Sequence, residues 1–219
     1  MRAVVFANGK LSQPALDRDQ LRQDDWIIAA DGGLRNCMAL GMKPAVVIGD
    51  FDSVEEENLQ ASQLSGAVFL RHPARKDETD LELAVVHAMR QGAQEIVVLG
   101  ALGERWDQTL ANVLLMAGLE AQGADMRLLD GPQEIRLVRP GQTLAVEGQA
   151  GDTLSLIPLK GDARGIDTRG LEYPLERGTL RFGATRGLSN TLVGRRATVR
   201  LEEGLLACIH IRSLPTEAR

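Results

Sequence analysis

Short apolar runs recur along the first 130 residues, and most are followed directly or after a short loop by glycine or a carboxylate. Residues 3–7, Trp26-Ile27-Ile28-Ala29-Ala30, 45–49, 67–70 and 95–100 have the length and β-branched content of buried strands. Helical patterns lie between them, as in βαβ units carrying a mainly parallel sheet. The clearest predicted helix starts at Thr79, where Leu81, Ala84, Val85, Ala88 and Met89 fall on one face and Thr79-Asp80-Leu81-Glu82 matches a capping box. A second begins near Asp107, carries Leu110, Val113, Leu114 and Ala117 toward the core, and ends around Gln122-Gly123.

After Gly131-Pro132 the pattern changes. Strand-like runs at 134–138, 143–147, 153–157, 197–201 and 205–211 are separated by Gly, Pro and Asp turns, and no convincing helix intervenes. The predicted fold class is therefore α/β followed by all-β. Residues 1–132 are expected to form an amino-terminal, mainly parallel sheet with flanking helices of Rossmann-like type, and residues 133–219 a carboxy-terminal β-sandwich. The last residues, 214–219, read as a frayed tail.

The ends of the first runs carry the candidate chemistry. Asp31-Gly32-Gly33 follows one run and Gly49-Asp50-Phe51-Asp52-Ser53 another; Asp77-Glu78-Thr79-Asp80 and Arg105-Trp106-Asp107 follow two more. If the strands are parallel neighbours, their carboxyl ends share one edge, where open α/β sheets bind ligands. Carboxylates gathered there are hard oxygen ligands of the kind Mg2+ prefers beside phosphate. Thr79 alone could be no more than a helix cap, and Asp107 no more than a dipole partner in a first helical turn.

Charge sharpens this reading. Residues 1–133 hold 12 Lys/Arg against 20 Asp/Glu, whereas residues 134–219 hold 13 against 10. An acidic crevice repels a bare polyphosphate, so divalent cations must bridge ligand and protein. With aromatics at 3% and a net charge of -5, neither a stacking platform for single-stranded nucleic acid nor an electrostatic one is suggested. Cys37 and Cys208 stand isolated, without metal or disulfide spacing, and read as buried thiols in a reducing compartment. No signal peptide and no run of membrane-spanning length is found, so a cytoplasmic protein is expected.

No G-x-x-x-x-G-K-S/T occurs, which excludes a conventional P-loop kinase, and Gly100-Ala101-Leu102-Gly103 lacks the spacing of a dinucleotide fingerprint. Phosphate must then be handled by carboxylate-held Mg2+ assisted by a base such as Lys76 or Arg105. Taken in order, the Asp31, Asp50 to Ser53, Asp77 to Asp80 and Arg105 to Asp107 motifs, with Ser189-Asn190 in the β part, resemble the thiamine pyrophosphokinase family. The resemblance implies a homodimer with active sites between subunits, and transfer of pyrophosphate from ATP to the hydroxyl of thiamine with release of AMP.

Carried over residue by residue, the resemblance makes Asp50, Asp52 and Asp80 Mg2+ ligands. It places Asp77 and Thr79 at the triphosphate, where Lys76 is the base expected to assist, and Asp31, Gly32 and Gly33 beside the nucleotide. Arg105 and Asp107 match an Arg-x-Asp element near the reacting groups, with Asp107 the candidate base; Gln108 follows where relatives often have His. Ser189 and Asn190 match a thiamine-binding pair, and Tyr173 falls where an aromatic encloses the substrate. Two other readings stay open: a haloacid-dehalogenase-like Mg2+-dependent phosphatase, in which Asp50 is a nucleophile, and a non-catalytic thiamine or nucleotide sensor.

Overall fold

The computed structural model describes residues 1–52, 54–103, 105–119 and 123–214. Ser53, Gln122 and the expected tail beyond 214 lie outside them. The chain divides into two compact units, Met1–Gly131 and Pro132–Arg219.

The first unit alternates strand and helix. In order it holds β1 (Arg2–Phe6), α1 (Pro14–Arg18), β2 (Trp26–Ala30), α2 (Gly33–Ala39), β3 (Val46–Gly49) and α3 (Glu56–Leu64). Then follow β4 (Val68–Arg71), α4 (Asp80–Arg90), β5 (Glu95–Leu99), α5 (Trp106–Leu119) and β6 (Asp125–Asp130). Its strands pair in parallel in the order β6-β5-β1-β2-β3-β4. The register sets Phe6 beside Ala29 and Leu99, and Ala30 beside Ile48, so the strand ends are level and the residues after them share one edge.

Burial on both faces explains the unbroken apolar runs. Val4, Phe6, Ile27, Val97 and Leu99 pack with Cys37 and Leu40, while Ala29 and Val47 pack with Leu34 and Phe51. Each fully buried Ile, Leu or Phe contributes about 1.5–3 kcal/mol over an exposed one.

Helix α4 matches its sequence pattern: Leu81, Ala84, Val85 and Ala88 are buried, with Met89 half-buried. Helix α5 matches only in part. Of its expected face Ala117 is buried and Val113 half-buried, and Met116 is buried too, whereas Leu110 is 61% exposed, Leu114 50% and Trp106 81%. The helix is apolar on more than one side, and 3.6-residue periodicity cannot tell which side the sheet covers.

The second unit contains only strands among its named elements: β7 (Gln133–Val138), β8 (Thr143–Glu147), β9 (Thr153–Pro158), β10 (Ala163–Arg169), β11 (Gly178–Leu180), β12 (Asn190–Thr191), β13 (Arg196–Arg200) and β14 (Leu206–Ile211). Antiparallel pairing joins β12-β9-β14-β7 in one layer and β11-β10-β13-β8 in the other. Leu154, Leu156 and Leu206 from the first layer meet Ile166, Val199 and Leu144 from the second in one core, which makes the unit a β-sandwich. Strands β10, β11 and β12 were not signalled by composition: Ala-Arg-Gly-Ile-Asp-Thr-Arg is mostly polar, with only Ala163, Ile166 and Thr168 buried.

Asp152 and His210 are both buried within this unit. Asp152 Oδ2 lies 2.9 Å from His210 Nε2 and also accepts from Gln149 N, while its Oδ1 accepts from Ser213 N at 2.8 Å. One carboxylate thus ties the turn before β9 to the end of β14. Cys37 and Cys208 are free and buried, and burial pushes both thiols up to about 12. Among the described residues no helix is long and apolar enough to cross a membrane.

Candidate active site

Adjacent strands β2 and β3 bring the first carboxylates together. Asp31 leaves β2 with a left-handed backbone, φ 44°, that lets its N–H reach Ile48 O at 2.7 Å and its Oδ1 accept from Phe51 N at 3.1 Å. Phe51, also left-handed at φ 67°, turns its ring inward against Phe69 and beneath the Arg71 guanidinium. Such backbone costs of order 1–3 kcal/mol per residue and is held only where the surroundings determine it. Its effect is to leave Asp50 and Asp52 on the open side of the turn.

Asp31, Asp50 and Asp52 each present an oxygen within 4.8 Å of the other two. Among the described residues this is the group able to share one cation, and Asp31, expected beside the nucleotide, belongs to it. Donation from Asp52 N to Asp50 Oδ1 at 3.1 Å, helped by Lys76, holds the Asp50 carboxyl below its ordinary value. Three clustered carboxylates of this kind fit a hard divalent ion.

Helix α4 supplies the facing wall. Thr79 caps it, its hydroxyl accepting from Glu82 N at 3.1 Å. Lys76 Nζ lies 2.8 Å from Asp80 Oδ1 and 3.1 Å from Pro73 O. Burial opposes the charge on Lys76, but Asp80, Asp50 and Asp31 outweigh it and raise its pKa. Asp31, Asp50, Asp52, Lys76, Thr79 and Asp80 all line one cavity of about 370 Å³.

Other expected residues are placed elsewhere. Asp77 is exposed and does not line that cavity. Gly32 and Gly33 are buried, and a side chain at either would strike Asn8 or the Phe6 carbonyl, so their bareness is already required by packing of α2 on β1. Asn8 and Gly9, which line the cavity, were not singled out from sequence. The available signal was their position directly after the first strand.

Arg105 and Asp107 follow β5, separated from β3 by β1 and β2. They form an exposed two-point pair, Nε to Oδ1 at 2.9 Å and Nη2 to Oδ2 at 2.6 Å. That pairing lowers Asp107 to about 2, and a carboxylate so acidic is a weak proton acceptor. In Arg105→Gln the Asp107 carboxyl should return toward the ordinary value near ~3.9. Side-chain NMR titration reads this directly; an unmoved value would remove Arg105 as the cause.

In the second unit Asn190 spans a turn to reach Tyr173. Its Oδ1 accepts from Tyr173 N at 3.1 Å and its Nδ2 donates to Tyr173 O at 2.7 Å, while Ser189, left-handed at φ 58°, donates its N–H to Ser155 Oγ. The Asn190 amide therefore fixes the Tyr173 backbone, leaving the phenol 67% exposed. Tyr173, Asn190, Leu171, Leu188 and Arg186 border a cavity of about 310 Å³.

These features coincide with clear similarities to known proteins. Residues 18–128 match the family model "Thiamin pyrophosphokinase, catalytic domain" and residues 142–206 match "Thiamin pyrophosphokinase, vitamin B1 binding domain". The thiamine pyrophosphokinase of Bacillus subtilis (strain 168) is 29% identical over 182 residues, 83% of this chain and 85% of the relative. The crystal structure of the enzyme from Bacillus subtilis superposes with a TM-score of 0.88 at 26% identity, covering 98% of this chain and 100% of that one. That from Geobacillus thermodenitrificans gives 0.83 at 27%, covering 97% and 98%. With its acidic α/β unit and its sandwich both accounted for, the chain belongs to the thiamin pyrophosphokinase family.

Proposed function

We propose that the protein transfers pyrophosphate from ATP to the hydroxyl of thiamine in an Mg2+-dependent reaction, giving thiamine diphosphate and AMP. Family membership supports thiamine diphosphate formation, and the grouping of Asp31, Asp50 and Asp52 at the sheet edge is the observation that carries the metal. It also displaces the phosphatase reading of Asp50.

In this reading Asp31, Asp50 and Asp52 hold Mg2+, and the role of Asp80 is to hold Lys76. When bound, the metal offsets the charge of the polyphosphate and of the transition state. Lys76 presents an ammonium to the same cavity, fixed by Asp80 and so aimed without reorganisation. The thiamine oxygen bonds to the β-phosphorus as the bridge from β-phosphorus to the α-phosphate oxygen breaks, and the hydroxyl proton passes to solvent water. Asp107 serves by orienting Arg105 rather than by taking that proton, which a loose transition state does not demand early. Tyr173 offers its π-face to the cationic thiazolium ring, with Asn190 setting its position and Ser189 standing next to Asn190 as the other member of the thiamine-binding pair. The reading extends to a cytoplasmic homodimer with active sites between subunits.

Incubating the protein with ATP, Mg2+ and thiamine, then separating the nucleotides, tests it. AMP should form in step with thiamine diphosphate and stop on chelation by EDTA. ADP as the nucleotide product would reject pyrophosphoryl transfer, and binding of both substrates without turnover would leave the sensor reading.

A further inference from the structure

The loops after β1 and β5 enclose a second cavity of about 320 Å³, which shares Asn8, Gly9, Gly100 and Gln108 with the carboxylate cavity. The two are contiguous but of opposite character. Lys10, Arg35 and Arg105 line the second, with no carboxylate among the described residues that line it. Arg105 is engaged by Asp107, whereas Arg35 donates to Asn8 Oδ1 at 3.3 Å. Among the described residues neither Lys10 nor Arg35 has a carboxylate partner. In a stretch with 12 basic against 20 acidic residues, three cations around one cavity that no described carboxylate lines are not a by-product of composition.

Position and rigidity add to this. From β1 the chain builds outward through β2, β3 and β4, and from β5 it builds the other way to β6. The cavity therefore opens at the point where strand order reverses, the usual ligand crevice of an open parallel sheet. Its floor is fixed: Asn36 Nδ2 donates to Ala7 O at 2.8 Å and Gly9 O at 2.7 Å, and Gly9 N donates to Gly100 O at 2.9 Å.

We infer that Lys10 and Arg35 form a metal-independent anion subsite that holds the phosphate remaining on the nucleoside. ATP then lies across both cavities, its transferred phosphates at the carboxylates and its α-phosphate between the two cations. The inference rests on the pyrophosphoryl-transfer reading above. When the bond from the β-phosphorus to the bridging oxygen breaks, its electron pair stays on that oxygen, which leaves as part of AMP. Cations fixed at the α-phosphate meet the charge where it builds.

AMP itself is the probe. In EDTA, calorimetry with the whole chain should show AMP binding more tightly than adenosine and weakening with added salt. Lys10→Ala and Arg35→Ala should each weaken AMP about 10-fold, and raise the KM for ATP comparably, while leaving adenosine binding unchanged. Both residues are exposed, so the variants keep the fold, and Arg35→Lys should recover part of the loss. AMP affinity unchanged in the double variant, or no better than that of adenosine, would overturn the subsite. Failure of the underlying reading looks different: the unaltered protein would then release no AMP from ATP and thiamine, whatever its affinity for AMP.

Discussion

Replacing Asp52 with Asn should lower the rate of thiamine diphosphate formation by on the order of 10²–10³-fold, the usual loss when one group that stabilises developing charge is removed. Asp52 is exposed, and Asn fits the same turn, so the fold has no reason to change. What disappears is one of three negative charges lying within 4.8 Å of each other. The remaining activity should require more Mg2+ than the unaltered protein does. Initial rates across an Mg2+ titration measure both effects. Full activity with an unshifted Mg2+ dependence would take Asp52 out of the metal site, and with it the reading of the cluster.

The largest effect on stability is expected in the other unit. Asp152→Ala leaves His210 buried without its partner and frees the N–H groups of Gln149 and Ser213, a change of the kind that costs about 3–5 kcal/mol. For a unit of this size that corresponds to a fall in Tm of roughly 10 °C or more. Burial opposes ionisation of Asp152, but the N–H groups of Ser213 and Gln149 and the His210 ring prevail and hold its pKa below the ordinary value. A lowered folded-state value means stabilisation that is complete above the unfolded value near ~3.9 and lost as pH falls through the folded one. Calorimetry at pH 7 should show the full difference between the two proteins, and the gap should narrow as pH falls below about 4. A variant melting with the unaltered protein at neutral pH would contradict the role given to this carboxylate.

Some of this architecture was legible because single residues sufficed to signal it. Thr79 with Glu82 announced the start of α4 through a cap whose partners are three residues apart. The grouping of Asp50 with Asp52 follows from a two-residue spacing around an inward-turned Phe51. Asp31 joined them for a reason no local pattern holds: β2 and β3 are neighbours in the sheet, and strand order is a property of the whole chain. The same ordering puts Arg105 and Asp107 on the far side of β1, with Arg105 lining a different cavity. Helix α5 illustrates the complementary limit. Leu110 and Leu114 share the spacing of Ala117, yet only Ala117 of the three is buried and Met116 joins it, because periodicity reports that a face is apolar without naming its cover. Strand β10 escaped notice since its pairing with β13 and β11 is secured by backbone hydrogen bonds, with few apolar side chains to mark it.

The distribution of chromophores between the two units has a practical consequence. Both tryptophans, Trp26 and Trp106, belong to the first, and the chain's single tyrosine, Tyr173, stands exposed in the second. Indole emission excited at the red edge of the spectrum therefore comes from the first unit, whereas nitration marks one defined position of the second. Denaturation followed by that emission would report on the α/β unit within the unlabelled whole chain.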